Sequence, residues 1–153
     1  MLEWSLDATT SSTSHDLLEL YCGGGTFTAA LAPNFRKVLA TEISKASVDL
    51  AMKAFKANDI ENIKIARLSS EDFTAAFSQT RQFKRLEQAG IDIRDYDLRT
   101  VLVDPPRAGL DAATCALLCR FEKIVYISCN PETLARDIAI MAATHEVGTK
   151  CSA

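Results

Sequence analysis

Apolar positions along the chain fall into short runs rich in Val, Ile and Leu, separated by stretches with helical spacing. Residues 17–22 form the first run, and Gly23, Gly24 and Gly25 end it, which predicts a strand entering a tight turn. A helix is predicted over 27–32, stopped by Pro33, and a second strand over 37–43. Ser44 suits the N-cap of a helix whose apolar positions Val48, Met52 and Phe55 recur at helical spacing, closed by Asn58. Residues 63–68 predict strand three, and 71–86 a helix that Gly90 breaks before a polar connector over 91–96. Strand four is predicted over 99–104, halted by Pro105 and Pro106. A helix near 111–119 leads to strand five over 123–129, and Pro131 opens the last helix. Such apolar strands, alternating with helices, predict an α/β fold: a doubly wound parallel sheet covered on both faces.

In such sheets ligands sit beyond the carboxyl ends of the strands, where the strand order reverses. Residues 21–26, 42, 104–107 and 129–132 are therefore the ones to inspect. Composition narrows the rest. The 153 residues are 48% hydrophobic and 24% charged, as expected of one globular domain. No apolar run approaches the roughly 18 residues of a membrane span. The first residues carry acids where a signal peptide carries bases, which argues for a cytoplasmic protein. A net charge of −3 excludes a strongly cationic nucleic-acid module. Five cysteines, an odd number without framework spacing, point to a reducing compartment. Cys115 and Cys119 lack two further ligands, and His15 and His145 have no ligand-like spacing to them, so no metal is expected.

The chemically unusual residues lie at the inspected places. Glu19 to Gly25 reads E-x-x-x-G-x-G, in which Gly23 and Gly25 allow close backbone approach to a ligand. It is not the dinucleotide fingerprint, because position 28 is Thr, and it has no Walker lysine. The spacing is similar to the first motif of S-adenosylmethionine (SAM) methyltransferases, although a bare tight turn accounts for it equally well. Glu42 follows strand two, 17 residues beyond Gly25, close to the roughly 20-residue offset at which an acid meets ribose hydroxyls. Asp104-Pro-Pro-Arg107 puts a carboxylate and a guanidinium on a stiffened loop. Amino-group methyltransferases carry D-P-P with an aromatic residue next, whereas here Arg107 follows. Cys129 precedes Asn130, a helix cap, and Pro131; a helix N-terminus favours the thiolate form of a nearby thiol. No histidine stands ready as its partner, which disfavours a protease-like pair.

L-L-E-L-Y-C-G-G-G, A-T-E-I, V-D-P-P-R-A-G-L and Y-I-S-C-N-P-E-T-L, in that order, resemble the RNA (uracil-5-)-methyltransferase family over residues 2–144. The 70–97 segment is more similar to the tRNA-specific branch, which makes 5-methyluridine in the T-loop, than to the ribosomal-RNA branches. The resemblance implies that residues 1–153 are a Rossmann-like SAM-dependent methyltransferase domain with tRNA as partner and no membrane. It implies Cys129 as nucleophile, Tyr21, Gly23, Gly25, Thr26, Glu42 and Asp104 on the cofactor side, and Arg107 on the substrate side. Thr26 stands where relatives often carry Asn. The family also has an upstream RNA-binding domain, a central domain that supplies a glutamine, and downstream strands with a glutamate base. Glu146 does not sit in that base motif. The expectation is thus a domain truncated at both ends, lacking its last strands and turning over poorly alone. Arg81, Lys84, Arg85, Arg94 and Arg99 form a modest basic cluster that reads as readily as a solvated helix face. A ribosomal-RNA uracil-5 methyltransferase and an inactive SAM-binding or interaction fragment remain as alternatives.

Overall fold

A computed structural model of the chain describes residues 1–10, 12–78 and 84–147. Its sheet is built outward from β1 (Asp16–Leu20), which hydrogen-bonds to β2 (Val38–Thr41) on one side and β4 (Leu98–Val103) on the other. With β3 (Ile63–Ala66) and β5 (Lys123–Tyr126) the order is β3-β2-β1-β4-β5, and every pairing is parallel. The order reverses between β1 and β4. Side chains of β1 alternate between two cores. Leu18 and Leu20 face Phe73, Leu117 and Leu118 with Val101 and Val103; Leu17 faces Leu31, Phe35, Val38, Leu102 and Val125. Burial on both faces is why the strands read as continuous apolar runs rather than alternating ones.

Side-chain caps mark the helix starts. Ser44 Oγ accepts from Ser47 N at the head of α3 (Lys45–Ala57), and Ser69 Oγ from Asp72 N at the head of α4 (Ser70–Phe77). Asp111 does the same for α6 (Ala112–Leu118), and Asn130 Oδ1 accepts from Glu132 N at the head of α7 (Pro131–Val147). At the opposite end of the sheet, buried Asp16 takes a two-pronged bond from Arg36 (2.9 and 2.6 Å) and one from Asp97 N (2.7 Å). These bonds tie together the chain segments that enter β1, β2 and β4.

Three expectations need correction. The single helix predicted over 71–86 is two: α4 ends at Phe77, and α5 (Lys84–Gln88) follows after residues 79–83, which lie outside the described part. Ser78, at the C-cap of α4, propagates a helix less well than the Ala-rich turn before it. The helix expected over 27–32 ends as Pro33 predicts, at Leu31, and Pro33 itself lies in a 3-10 turn (Ala32–Asn34) where its missing N–H costs nothing. Met52 is exposed, and Ala51 with Phe55 forms the inward face of α3. Finally, β5 ends at Tyr126, so Cys129 sits in the loop before α7 rather than at a strand end.

The glycine turn after β1 is fixed by space as well as by torsion. Gly25 has φ +81° as it caps α2 (Thr26–Leu31), and a Cβ there would lie 2.7 Å from Phe55 Cε1 and Cζ. Gly25→Ala should therefore destabilise the chain by about 1–3 kcal/mol, from positive φ and overpacking together. Urea denaturation of the variant against the native chain measures this, and an unchanged midpoint would contradict it.

Candidate functional site

The carboxyl ends of β1, β2, β3 and β4 open onto a cleft of about 480 Å³, within the range of small-molecule sites. Tyr21, Thr41, Glu42, Asp104, Pro105 and Pro106 line it, facing the start of α4 at Ser69, Ser70 and Glu71. Glu42 is held from both sides: Oε2 accepts from Gly23 N (3.0 Å) and Oε1 from Ser44 N (2.7 Å). A carboxylate oxygen has two lone pairs, so each still has one for a ligand hydroxyl. Thr41 Oγ1 is buried in the cleft wall with no partner, a polar group that a bound ligand would satisfy. Tyr21 adopts φ +60°, rare for a residue with a side chain, and its hydroxyl is hydrogen-bonded to Ser70 Oγ across the cleft. Burial pushes the phenol up, so it stays protonated at neutral pH. Asp104 is exposed, yet partial desolvation by its surroundings raises its carboxyl as well.

These features suit a nucleoside-bearing cofactor: a pre-positioned acid for a diol, an unsatisfied hydroxyl and an amide-rich glycine turn. They also sort the residues expected from sequence. Tyr21, Glu42 and Asp104 come together in one cleft. Gly23 acts by donating its N–H to Glu42, and Gly25 by permitting the turn beneath Phe55. Thr26, exposed at the first position of α2, is not among the lining residues, nor are Arg107 and Cys129. Those last two are brought together otherwise, because Asn130 Nδ2 donates to the Arg107 carbonyl (3.1 Å), joining their two loops.

Cysteine environments differ sharply. Cys22 is buried in the glycine turn and burial pushes its thiol far above the usual range; Cys115 is buried and pushed up to about 11. Cys119 is half-buried, and its Sγ donates to the Met141 carbonyl. Cys129 is the exposed cysteine among the four described. A nucleophilic thiol has to be accessible, and of these cysteines Cys129 meets that condition best.

Sequence inspection missed Thr41, Leu68, Ser69, Ser70 and Glu71. The rule that selected the other strand ends would have found the last four, since they follow β3. Two members of the expected basic cluster are paired with acids: Arg94 with Asp92, and Arg99 with Asp97 and Glu122. Arg85 donates to the Arg67 carbonyl, and Arg81 lies outside the described residues. Among the described residues no helix is long and apolar enough to cross a membrane, and no group of three or more His, Cys, Asp or Glu could hold a metal ion. A larger hollow of about 600 Å³, near Phe77, Leu86, Ile91 and Ile93, is flanked in sequence by the undescribed residues 79–83 and lies away from these loops.

Fold and cleft together define a Rossmann-like domain of the SAM-dependent methyltransferase type. Its shape matches a precorrin-6y C5,15-methyltransferase from Geobacter metallireducens at TM-score 0.67 and 11% identity, over 94% of this chain and 69% of that one. The chain belongs to the tRNA (uracil-5-)-methyltransferase family, whose profile matches residues 1–152. It is 52% identical over 147 residues to a tRNA/tmRNA (uracil-C(5))-methyltransferase of Vibrio atlanticus, and 55% identical to one of Pseudoalteromonas atlantica. Each match covers 96% of this chain and 40% of the relative, so the chain spans about two-fifths of their length. The Pyrococcus abyssi tRNA (uracil-54, C5)-methyltransferase, solved in complex with S-adenosyl-L-homocysteine, is similar at 26% identity and TM-score 0.63, over 91% of this chain and 31% of that one.

Behind the cleft lies an acid with an unusual proton affinity. Glu19, on β1, is 2% exposed and its Oε2 has no hydrogen-bond partner. Burial raises its pKa to about 8; nearby Thr28 offsets this in part, without a hydrogen bond of ordinary geometry, and Asp104 adds to it. Unfolded, the carboxyl ionises near 4.5, so the native state holds the proton that the unfolded state loses. Stability from this group is full below that value and drains away until pH passes about 8. Glu19→Gln, which mimics the protonated acid, should therefore stabilise the chain by on the order of 1–3 kcal/mol at high pH and by little at pH ~5. Melting temperatures of both proteins across that range test this; a gap that does not widen with pH would refute it.

Proposed function

We propose that residues 1–153 form the catalytic domain of a tRNA uracil-C5 methyltransferase that uses SAM and acts through a covalent adduct at Cys129, with T-loop uridine as the target. The observation that carries the reading is the exposure of Cys129 on a loop tied, through Asn130, to the D-P-P-R loop at the cleft. Family membership supports tRNA over ribosomal RNA as substrate, and the bound S-adenosyl-L-homocysteine of the archaeal relative supports the cofactor.

Glu42 would hold the ribose diol, Tyr21 and Asp104 would flank the cofactor, and Gly23, Gly25 and Thr26 would let it lie against the turn. Bound SAM supplies the electrophilic methyl that the pyrimidine C5 takes up. The difficulty lies in the pyrimidine, whose C5 is a weak nucleophile. Cys129 answers it: a bond from Sγ to C6 sends the C5=C6 electron pair toward the C4 oxygen, and the enolate so formed is nucleophilic at C5. Once C5 is methylated, a base removes its proton. The electron pair returns, C6–S breaks and the thiolate is regenerated. Arg107, across the joined loops, is the cation for the RNA side.

Calorimetric titration with SAM, using NAD as control, should show binding that Glu42→Ala weakens at least about tenfold, since hydrogen bonds to a charged group are worth about 1.5–3 kcal/mol. With SAM and 5-fluorouridine-substituted tRNA, the native chain should form an adduct that withstands denaturation, and Cys129→Ser should form none. Adduct on ribosomal RNA instead would favour that branch. SAM binding with no adduct on either RNA would favour the fragment that binds without catalysing.

A further inference from the structure

The loop that carries Arg107 is fastened to α7 along most of its length. Asn130 Nδ2 donates to the Arg107 carbonyl (3.1 Å), and Arg136 Nη2 donates to the carbonyls of Ala108 (2.8 Å) and Leu110 (3.2 Å). Asp137, fully buried, accepts from Leu110 N (2.7 Å) and the Tyr126 hydroxyl (2.6 Å) through Oδ2, while Oδ1 takes Arg136 Nε (2.9 Å) and Nη2 (2.7 Å). Burial alone would raise the Asp137 carboxyl; the bonds from Tyr126, Leu110 and Arg136 more than reverse that, and it is held below its ordinary value. Gly109 turns beneath this group at φ +76°, and a Cβ there would lie 2.6 Å from both Arg136 Nη2 and Asp137 Oδ2. Asn130 follows Cys129 directly, so whatever holds the Arg107 loop to α7 also fixes it relative to the thiol.

We propose that Asn130, Arg136 and Asp137 act as positioning residues: clamped to α7 by them, the Arg107 loop and the Cys129 loop move as one body and set the gap into which a target pyrimidine fits. This rests on the uracil methyl-transfer reading for its purpose, though not for its geometry. None of the three touches the reacting atoms; they act through Arg107 and Cys129. Asp137 is the central member, because it alone fixes Arg136, Tyr126 and the loop amide at once. The clamp's bonds reach residues 107–110, none of which lines the SAM cleft, so the clamp should govern the RNA side and leave the cofactor side alone.

The test uses the 153-residue chain. Arg107–Ala108 is a trypsin site on the clamped loop, and Leu110 N–H is an exchange probe bonded to Asp137. In Asp137→Asn and Arg136→Met, cleavage after Arg107 and exchange at Leu110 should speed up about tenfold or more, as expected when the hydrogen bonds holding a segment are lost. Asn130→Ser keeps an oxygen to cap α7 but has no amide to reach Arg107, so it should loosen the loop while helical content stays native. SAM affinity should remain within about twofold in all three, since the bonds lost lie outside its cleft. Adduct formation with 5-fluorouridine tRNA should slow. Unchanged cleavage and exchange in folded variants would overturn the clamp. Loss of SAM affinity in step with loop order would overturn the division between RNA and cofactor sides. If the native chain forms no adduct while the loop still depends on Asp137, the methyl-transfer reading fails and the clamp stands.

Discussion

β1 has a hydrogen-bonded neighbour on each side and a packed core on each face, and this double enclosure governs the functional end of the domain. A strand so enclosed cannot shift or twist away, so the residues that leave it start from a fixed point. Tyr21 is driven into a left-handed conformation, and the glycines must complete a turn in the space that Phe55 leaves. The reversal of strand order beside β1 keeps β2 and β4 apart beyond their ends, which makes room for the cleft. Glu42 then reaches back to the Gly23 amide, so that turn and acid stabilise one another.

The residues divide into two groups according to what holds them. Those lining the cleft are fixed by backbone amides and strand ends, which preorganise them for a ligand that fits by shape and hydrogen bonds. Arg107 and Cys129 stand on loops joined by Asn130, the cap of α7, and Arg136 of that helix holds the first of them. Because the two groups are anchored separately, each can be rigid in its own frame.

Much of this was legible in the sequence because the chain is locally consistent. A glycine turn follows β1, four helices begin at a Ser, Asp or Asn cap, and both motif loops carry prolines that announce their shape. Cys129 was readable by its neighbours, Asn130 and Pro131, rather than by its own type. What could not be read depended on three dimensions. Met52 and Ala51 are adjacent, and periodicity alone did not say which faces inward; only the contact of α3 with the glycine turn decides it. Arg94 and Arg99 looked like a basic face because one-dimensional clustering does not show that Asp92 and Asp97, two residues before each, neutralise them. Asp137 gave no signal, being one more charge on a helix until burial brought Tyr126 and Leu110 to it.

Two acids three residues apart on β1 answer protons in opposite ways. Burial raises Asp16, but its bonds to Arg36 and Asp97 prevail and hold it below the usual carboxylate range, so the support it gives is present above pH ~4 and lost in acid. Glu19, with an unsatisfied oxygen, behaves in reverse. Acid thus withdraws support from the beginning of the central strand, where it fastens the sheet, and alkali from its far end, beside the glycine turn. As far as these two groups decide it, the domain is most secure in mildly acidic solution, and whatever binds at the cleft in neutral solution meets a strand already carrying part of the cost of keeping a proton.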